Sequence, residues 1–132
     1  MYKTNVELKF PQDFVGQLTT ARGEFPVGSE SARLAPYDML LAALGSCFYA
    51  TFLDIVEKMQ LSYEQADIKL EGINRDEVPT TLQSVTIDFT LKGANSEQRD
   101  KYERASDLAG KYCSIYQTVS HVADISVNLH LE

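Results

Sequence analysis

Hydrophobic and polar positions alternate over the first ten residues. Tyr2, Val6, Leu8 and Phe10 share one parity, and Lys3, Asn5, Glu7 and Lys9 the other. A period of two predicts a strand with one face turned to a core. Phe14 to Thr20 and Phe25 to Val27 are two further short strand candidates, set apart by the turn residues Pro11-Gln12-Asp13 and Arg22-Gly23. The pattern then changes. From Met39 to Leu53 the chain reads MLLAALGSCFYATFL, without a charge, between Asp38 and Asp54. As a helix this stretch covers about 22 Å, short of a ~30 Å bilayer core. It predicts a helix that is apolar nearly all round, buried in the protein or against a second subunit. Pro36 and Asp38 suit its first turn. Gly45-Ser46 interrupts it with small side chains, room for another backbone to come close.

Alternation returns further on. Ala66, Ile68 and Leu70 alternate with Asp67, Lys69 and Glu71, and Val85, Ile87, Phe89 and Leu91 with Thr86, Asp88, Thr90 and Lys92, with a turn at Pro79-Thr80-Thr81. Ser96 suits the cap of a helix running to about Ala109 and stopped by Gly110, and a short helical piece follows around Lys111 to Val119. The last strand turns Ala123, Ile125, Val127, Leu129 and Leu131 inward and Asp124, Ser126, Asn128 and His130 outward. The order is three strands, one long helix, two strands, a helix pair and one strand. That is an α+β chain, mainly antiparallel, with helices on one face of the sheet. One small sheet cannot cover a helix without a polar stripe, which predicts a homodimer.

Composition narrows the field without naming a function. At 132 residues the chain is read as one domain, residues 1–132, long enough for a core of its own. Apolar residues make up 44% and charged residues 23%, an ordinary globular composition that argues against disorder. A formal net charge of −7 argues against nucleic-acid binding. The opening MYKTNVELKF lacks a basic-then-apolar layout, so a cytoplasmic protein with no membrane partner is expected.

Two cysteines, Cys47 and Cys113, are too few for a disulfide scaffold. Taken alone, each is most simply a small hydrophobe. The two histidines do not make a metal site with them, since no CxxC or HxxxH spacing occurs. His121 and His130 are expected on one strand, on opposite faces, His121 on the apolar side. A thiol pair is also a redox device. One thiolate attacks a peroxide oxygen and becomes a sulfenic acid, and the second thiol condenses with it to a disulfide. This chemistry needs a lowered thiol pKa. Cys47 is too far along its own helix for that helix's dipole to help, so the sequence reading turns to an arginine, Arg22 or Arg33. Arg75, Arg99 and Arg104 sit in acidic contexts of the solvated type.

These residues resemble the OsmC/Ohr family of thiol-dependent peroxidases. Ala35-Pro36-Tyr37-Asp38-Met39-Leu40-Leu41-Ala42-Ala43-Leu44-Gly45-Ser46-Cys47 is similar to the family's Pro-x-(Glu/Asp)-Leu-Leu-x-Ala-x-x-x-Cys helix. Tyr112-Cys113-Ser114 after a charged helix is the second carrier. The resemblance implies an OsmC-like fold with a long buried central helix, as an intertwined homodimer with its sites at the subunit interface. It implies Cys47 as the peroxide-reacting thiolate and Cys113 as the resolving thiol. The implied substrates are organic hydroperoxides, the reductant is a small or protein-bound dithiol, and no metal or bound cofactor is needed. The family's peroxidases carry an arginine in an early turn and a glutamate ten residues before the first cysteine. Here Tyr37 stands at that place with Asp38 beside it, and Phe10-Pro11-Gln12-Asp13 has no arginine. Arg33 and Arg22 are the substitutes available, and Tyr37 offers a phenolic hydrogen bond. Other readings are a non-enzymatic binding module for a small apolar ligand, a weakly active redox sensor, and a hotdog-type acyl-thioester hydrolase that would not need its cysteines.

Overall fold

The computed structural model describes residues 1–132. The chain divides into two compact units, Met1–Leu40 and Leu41–Glu132.

The first unit is an antiparallel meander of β1 (Glu7–Gln12), β2 (Val15–Thr20) and β3 (Gly23–Gly28), in that order. Leu18 stands opposite both Leu8 and Phe25. The core-facing side expected for the first strand is not buried in the single chain: every residue of β1 is exposed, Leu8 and Phe10 included, because no helix of this unit packs on that face. Residues 2–6, expected in the first strand, precede β1. The turn into β2 puts Asp13 at φ 56°, a conformation that aspartate tolerates better than most residues. Gly16 is buried in β2, and a Cβ there would lie 2.3 Å from the Lys9 carbonyl oxygen. Glycine is therefore required by the close passage of β1. After β3 the chain folds back. Leu34 N–H donates to the Pro26 carbonyl at 2.9 Å and Gly28 N–H to the Leu34 carbonyl at 3.1 Å. Asp38 Oδ2 accepts the Ala35 N–H at 2.9 Å and so caps α1 (Pro36–Lys58), which starts in this unit and continues in the second.

In the second unit, β4 (Gln65–Asn74), β5 (Leu82–Lys92) and β6 (Asp124–Leu131) form a sheet in the order β4-β5-β6. β4 and β5 are antiparallel, but β5 and β6 run parallel, a departure from a purely antiparallel sheet. The reason is the connection. A short 3-10 turn (Ser96–Gln98), α2 (Arg99–Tyr112) and α3 (Ser114–Ser120) carry the chain back across the sheet, and a helical crossover delivers the next strand in the same direction. Asn95, not Ser96, caps this segment, accepting the Glu97 N–H at 3.0 Å. Gly110 does not stop α2, which runs on to Tyr112. The Tyr116 ring lies against Gly110, where a Cβ would meet it at 3.2 Å.

The core lies between β5 and the helices. Leu82, Val85, Ile87, Phe89 and Leu91 are buried from β5, with Leu44, Phe48, Phe52 and Val56 from α1 and Tyr102, Ala105, Ala109 and Cys113 from α2 and its end. The α1 residues recur every four positions, one stripe of a helix. Phe89 meets Phe52 edge to face at 4.7 Å and Phe48 at 5.5 Å, geometries that aromatic quadrupoles favour. Gly45 receives Leu70 of β4, a side chain and not a second backbone. The Tyr102 hydroxyl donates to the Ser62 carbonyl. α1 is long and apolar enough to cross a membrane by length and composition, yet it serves here as a core helix. Within this chain it is buried along one stripe and not all round: Ala42, Ser46, Ala50 and Leu53 are exposed.

The histidines need correction. His121 is exposed at the C-terminal cap of α3 and is not on β6. His130 is on the outer face of β6, with Nε2 3.4 Å from Asp88 Oδ1.

Candidate active site at the α2–α3 junction

The fold brings Cys47 and Cys113 together from distant parts of the sequence. Cys47 stands on α1 beside the buried Phe48 and is partly exposed. Its carbonyl accepts the Thr51 hydroxyl at 3.0 Å. Cys113 is fully buried at the break between α2 and α3.

That break has a local cause. Cys113 closes α2 by donating its N–H to the Ala109 carbonyl at 2.9 Å, and then takes an extended conformation, φ −73° and ψ 119°. The same residue opens α3. Its carbonyl accepts the Gln117 N–H at 3.0 Å and its Sγ accepts the Tyr116 N–H at 3.3 Å. A thiol sulfur is a weak acceptor, but it fills the place usually held by a serine or aspartate oxygen. Gln117 Nε2 donates to the Gly110 carbonyl at 3.0 Å and ties the two helices across the junction. The helical piece expected around Lys111 to Val119 begins later, at Ser114, since Lys111 and Tyr112 still belong to α2 and Cys113 is the cap between the two helices. The signal available was a helical stretch restarting at Cys113-Ser114 after a helix that had just ended.

Around Cys47 the junction supplies hydrogen bonds. Ser114 Oγ lies 3.9 Å from Cys47 Sγ. Burial acts to raise the Cys47 pKa, but the Cys113 thiol, the Ile115 N–H and the Ser114 hydroxyl and N–H outweigh it, and the thiol is lowered from its ordinary value. The opening N–H groups of a helix lack partners inside that helix and so are free for an anionic sulfur. For Cys113 the balance is reversed. Burial raises it, and its hydrogen bond to Cys47 and the proximity of that charge raise it further. The pair is thus unequal: an accessible sulfur whose pKa is lowered beside a buried one whose pKa is raised. Such a pair can attack an electrophile with the first sulfur and close a disulfide with the second. Ser114 and the Ile115 main chain are the participants that sequence reasoning missed. Main-chain N–H donors on a different helix leave no trace in residue type, whereas an arginine does.

The remaining candidates belong to the first unit. Arg33 is half-buried, donates Nη1 to the Gly16 carbonyl at 2.9 Å and lies 3.6 Å from Glu30. Arg22 is exposed in the β2–β3 turn, where its main-chain N–H donates to Thr20 Oγ1 at 3.0 Å. Tyr37 is exposed on the first turn of α1. Asp38 is engaged as the cap of that helix. In the second unit, Arg99 pairs with Glu103 at 2.9 Å, and Arg75 donates to the Pro79 carbonyl at 2.8 Å.

Comparison with known proteins sets these features in a family. The chain is 27% identical over 93 residues to protein YhfA of Escherichia coli K12, covering 70% of this chain and 69% of that one. The fold is similar to the crystal structure of an OsmC-like protein from Mycoplasma pneumoniae, with a TM-score of 0.86 at 17% identity, covering 98% and 97% of the two chains. It is also similar to an organic hydroperoxide resistance protein, OsmC, from Legionella pneumophila, with a TM-score of 0.77 at 15% identity over 98% of each chain. The family model described as OsmC-like protein matches residues 28–128, a span that holds α1, both cysteines and the junction between α2 and α3. The chain belongs to the OsmC-like protein family.

Proposed function

We propose that this protein is a thiol-dependent peroxidase that reduces organic hydroperoxides. The observation that carries the reading is the unequal pair, a partly exposed Cys47 with a lowered pKa in hydrogen-bond contact with a buried Cys113. The hydroperoxide-resistance role of the Legionella protein of the same fold supports it.

In the proposed cycle the Cys47 thiolate attacks the outer oxygen of R–O–O–H. The O–O bond breaks, Cys47 becomes a sulfenic acid, and the alkoxide takes a proton and leaves as an alcohol. The Cys113 sulfur then attacks the Cys47 sulfur. Hydroxide leaves, takes up the thiol proton as water, and a disulfide remains. A small or protein-bound dithiol returns two electrons and two protons. The raised pKa of Cys113 keeps it from competing for peroxide in the first step. Each role belongs to a named thiol, so neither step requires a metal.

Arg33, and after it Arg22, is proposed as the cation that supports the Cys47 thiolate, in the place of the family's early arginine. Replacing each with alanine and measuring the Cys47 titration point tests this. An unchanged point for both removes the cation from the mechanism. Tyr37 is proposed as a phenolic donor, and Tyr37→Phe at unchanged peroxide turnover removes it.

The decisive experiment exposes the reduced protein briefly to cumene hydroperoxide and reads intact mass and free thiols. The wild-type chain is expected to lose two protons and both thiols as an internal disulfide. Cys113→Ser is expected to stop with one added oxygen, and Cys47→Ser to remain unmodified. If the wild-type thiols stay reduced at near-stoichiometric peroxide, the peroxidase reading falls and the binding-module reading takes its place.

A further inference from the structure

We infer that Ser114 is a positioning residue for Cys47, its hydroxyl acting, beside the Cys113 thiol, as a side-chain donor that favours the ionised sulfur. The inference rests on the reading of Cys47 as the reacting thiol, but its test does not depend on peroxide turnover. Ser114 Oγ lies 3.9 Å from Cys47 Sγ, within reach of a hydrogen bond to sulfur. Both side chains are accessible at the surface of the junction.

The contact has a direction that depends on charge. With Cys47 protonated, either group can donate. With Cys47 ionised, only the hydroxyl has a proton to give, and hydrogen bonds to a charged acceptor are stronger than those between neutral groups. The contact therefore favours the thiolate over the thiol. Cys113 is the titratable group facing Cys47, and the other contacts are main-chain N–H groups of Ser114 and Ile115. Main-chain donors survive substitution, so the Ser114 hydroxyl is the part of this donor set that can be removed without touching a cysteine.

Position 114 is also constrained from the other side. Its carbonyl accepts the Thr118 hydroxyl at 2.9 Å, and it is the first residue of α3, directly after the cap. Holding the main chain in this way fixes where the Ser114 Cβ stands relative to Cys47, and with it the positions the hydroxyl can reach. It also means that a bulky substitution tests the helix as well as the hydrogen bond, so variants must separate shape from donor.

The matched pair Ser114→Thr and Ser114→Val does this. Both are β-branched and of nearly equal volume, and only threonine keeps the hydroxyl. The experiment is done in the Cys113→Ser chain, where Cys47 is the sole thiol. Thiolate absorbance near 240 nm is followed against pH, together with the iodoacetamide alkylation rate at one pH below the titration midpoint. The valine variant, and Ser114→Ala beside it, should titrate at higher pH and alkylate on the order of 3- to 10-fold more slowly, the effect of losing one hydrogen bond to a charged sulfur at an accessible site. Ser114→Thr should match the parent, and melting temperatures should be equal for threonine and valine. If valine, alanine and threonine all titrate with the parent, or if threonine shifts as far as valine, the inference is overturned. Failure of Cys47 to turn over peroxide, with the predicted titration shifts intact, would instead overturn the peroxidase reading alone.

Discussion

Cys113 stands in two relations at once: it caps α3, and its thiol pKa is raised beside that of Cys47. The first role is visible in the Tyr116 N–H bond to its sulfur at 3.3 Å. Removing the acceptor leaves that N–H without its partner, and loss of an N-cap costs about 1 kcal/mol. Cys113→Ala should therefore melt lower than Cys113→Ser, which keeps a capping oxygen; thermal denaturation of both under reducing conditions checks this. The second role has a pH signature. The folded pKa of Cys113 is raised, so its contribution to stability is complete below the unfolded thiol value and is lost as pH rises through the folded one. Cys47 has the opposite sign. Its folded pKa is lowered, so its contribution is present above the unfolded value and lost as pH falls through the folded one. Denaturant melts of the two single serine variants across mildly alkaline pH should diverge from the wild type in opposite directions. The motif in α1 made Cys47 legible, and resemblance paired it with Cys113. Their hydrogen-bonding partners were not legible, because main-chain donors from Ser114 and Ile115 leave no mark on residue identity.

At the scale of elements, period-two alternation located β4, β5 and β6 within a few residues, and turn residues set β2 and β3 apart. The first strand was overextended because Tyr2 and Val6 keep the right parity although β1 begins only at Glu7. Parity decides which face a strand buries, and it did so for β5, where Val85, Ile87, Phe89 and Leu91 all point to the helices. It cannot choose a partner or a direction, so the parallel pairing of β6 had to come from the crossover. For α1 the uncharged run concealed a stripe. Only the spacing of Leu44, Phe48, Phe52 and Val56 distinguishes the face on the sheet from the face away from it. Phe52 is the centre of that stripe, in contact with the rings of Phe89, Tyr49 and Tyr63. Phe52→Ala should cost about 3–5 kcal/mol, the range for emptying a buried aromatic site; equilibrium urea unfolding measures it. Beside it, the Tyr49 and Tyr63 hydroxyls meet at 2.9 Å between α1 and the start of β4. Burial, and then the Tyr49 hydrogen bond, push the Tyr63 phenol well above its ordinary value. Stability tied to the neutral phenol is present below the unfolded tyrosine value and is lost as pH rises through the folded one. Tyr63→Phe should be less stable than wild type at neutral pH, yet lose less stability on the way to strongly alkaline pH.

At the scale of the molecule, the outer face of α1 poses the remaining physical question. Ala42, Ser46, Ala50 and Leu53 recur along one side of the helix and are exposed in the single chain, with Leu53 at 41%. An exposed apolar helix face of this length is costly in water, and small residues allow a second helix to approach closely. The proposed homodimer would cover it with the same face of a second chain, a self-complementary contact of the kind a two-fold axis generates. The net charge of −7 opposes association at long range, so the contact has to be made by apolar area, and added salt should strengthen it slightly. A carboxylate on this face would enter such a contact from both chains by symmetry, and without a partner. Leu53→Glu should therefore shift the protein from dimer to monomer by light scattering at micromolar concentration. Leu53→Ala, which removes area without burying charge, should weaken the dimer while leaving it detectable. The secondary structure of both variants should match the wild type, because Leu53 lies outside the buried core of its own chain. A monomeric wild-type protein under the same conditions would remove the dimer, and with it the proposal that the second subunit covers this helix.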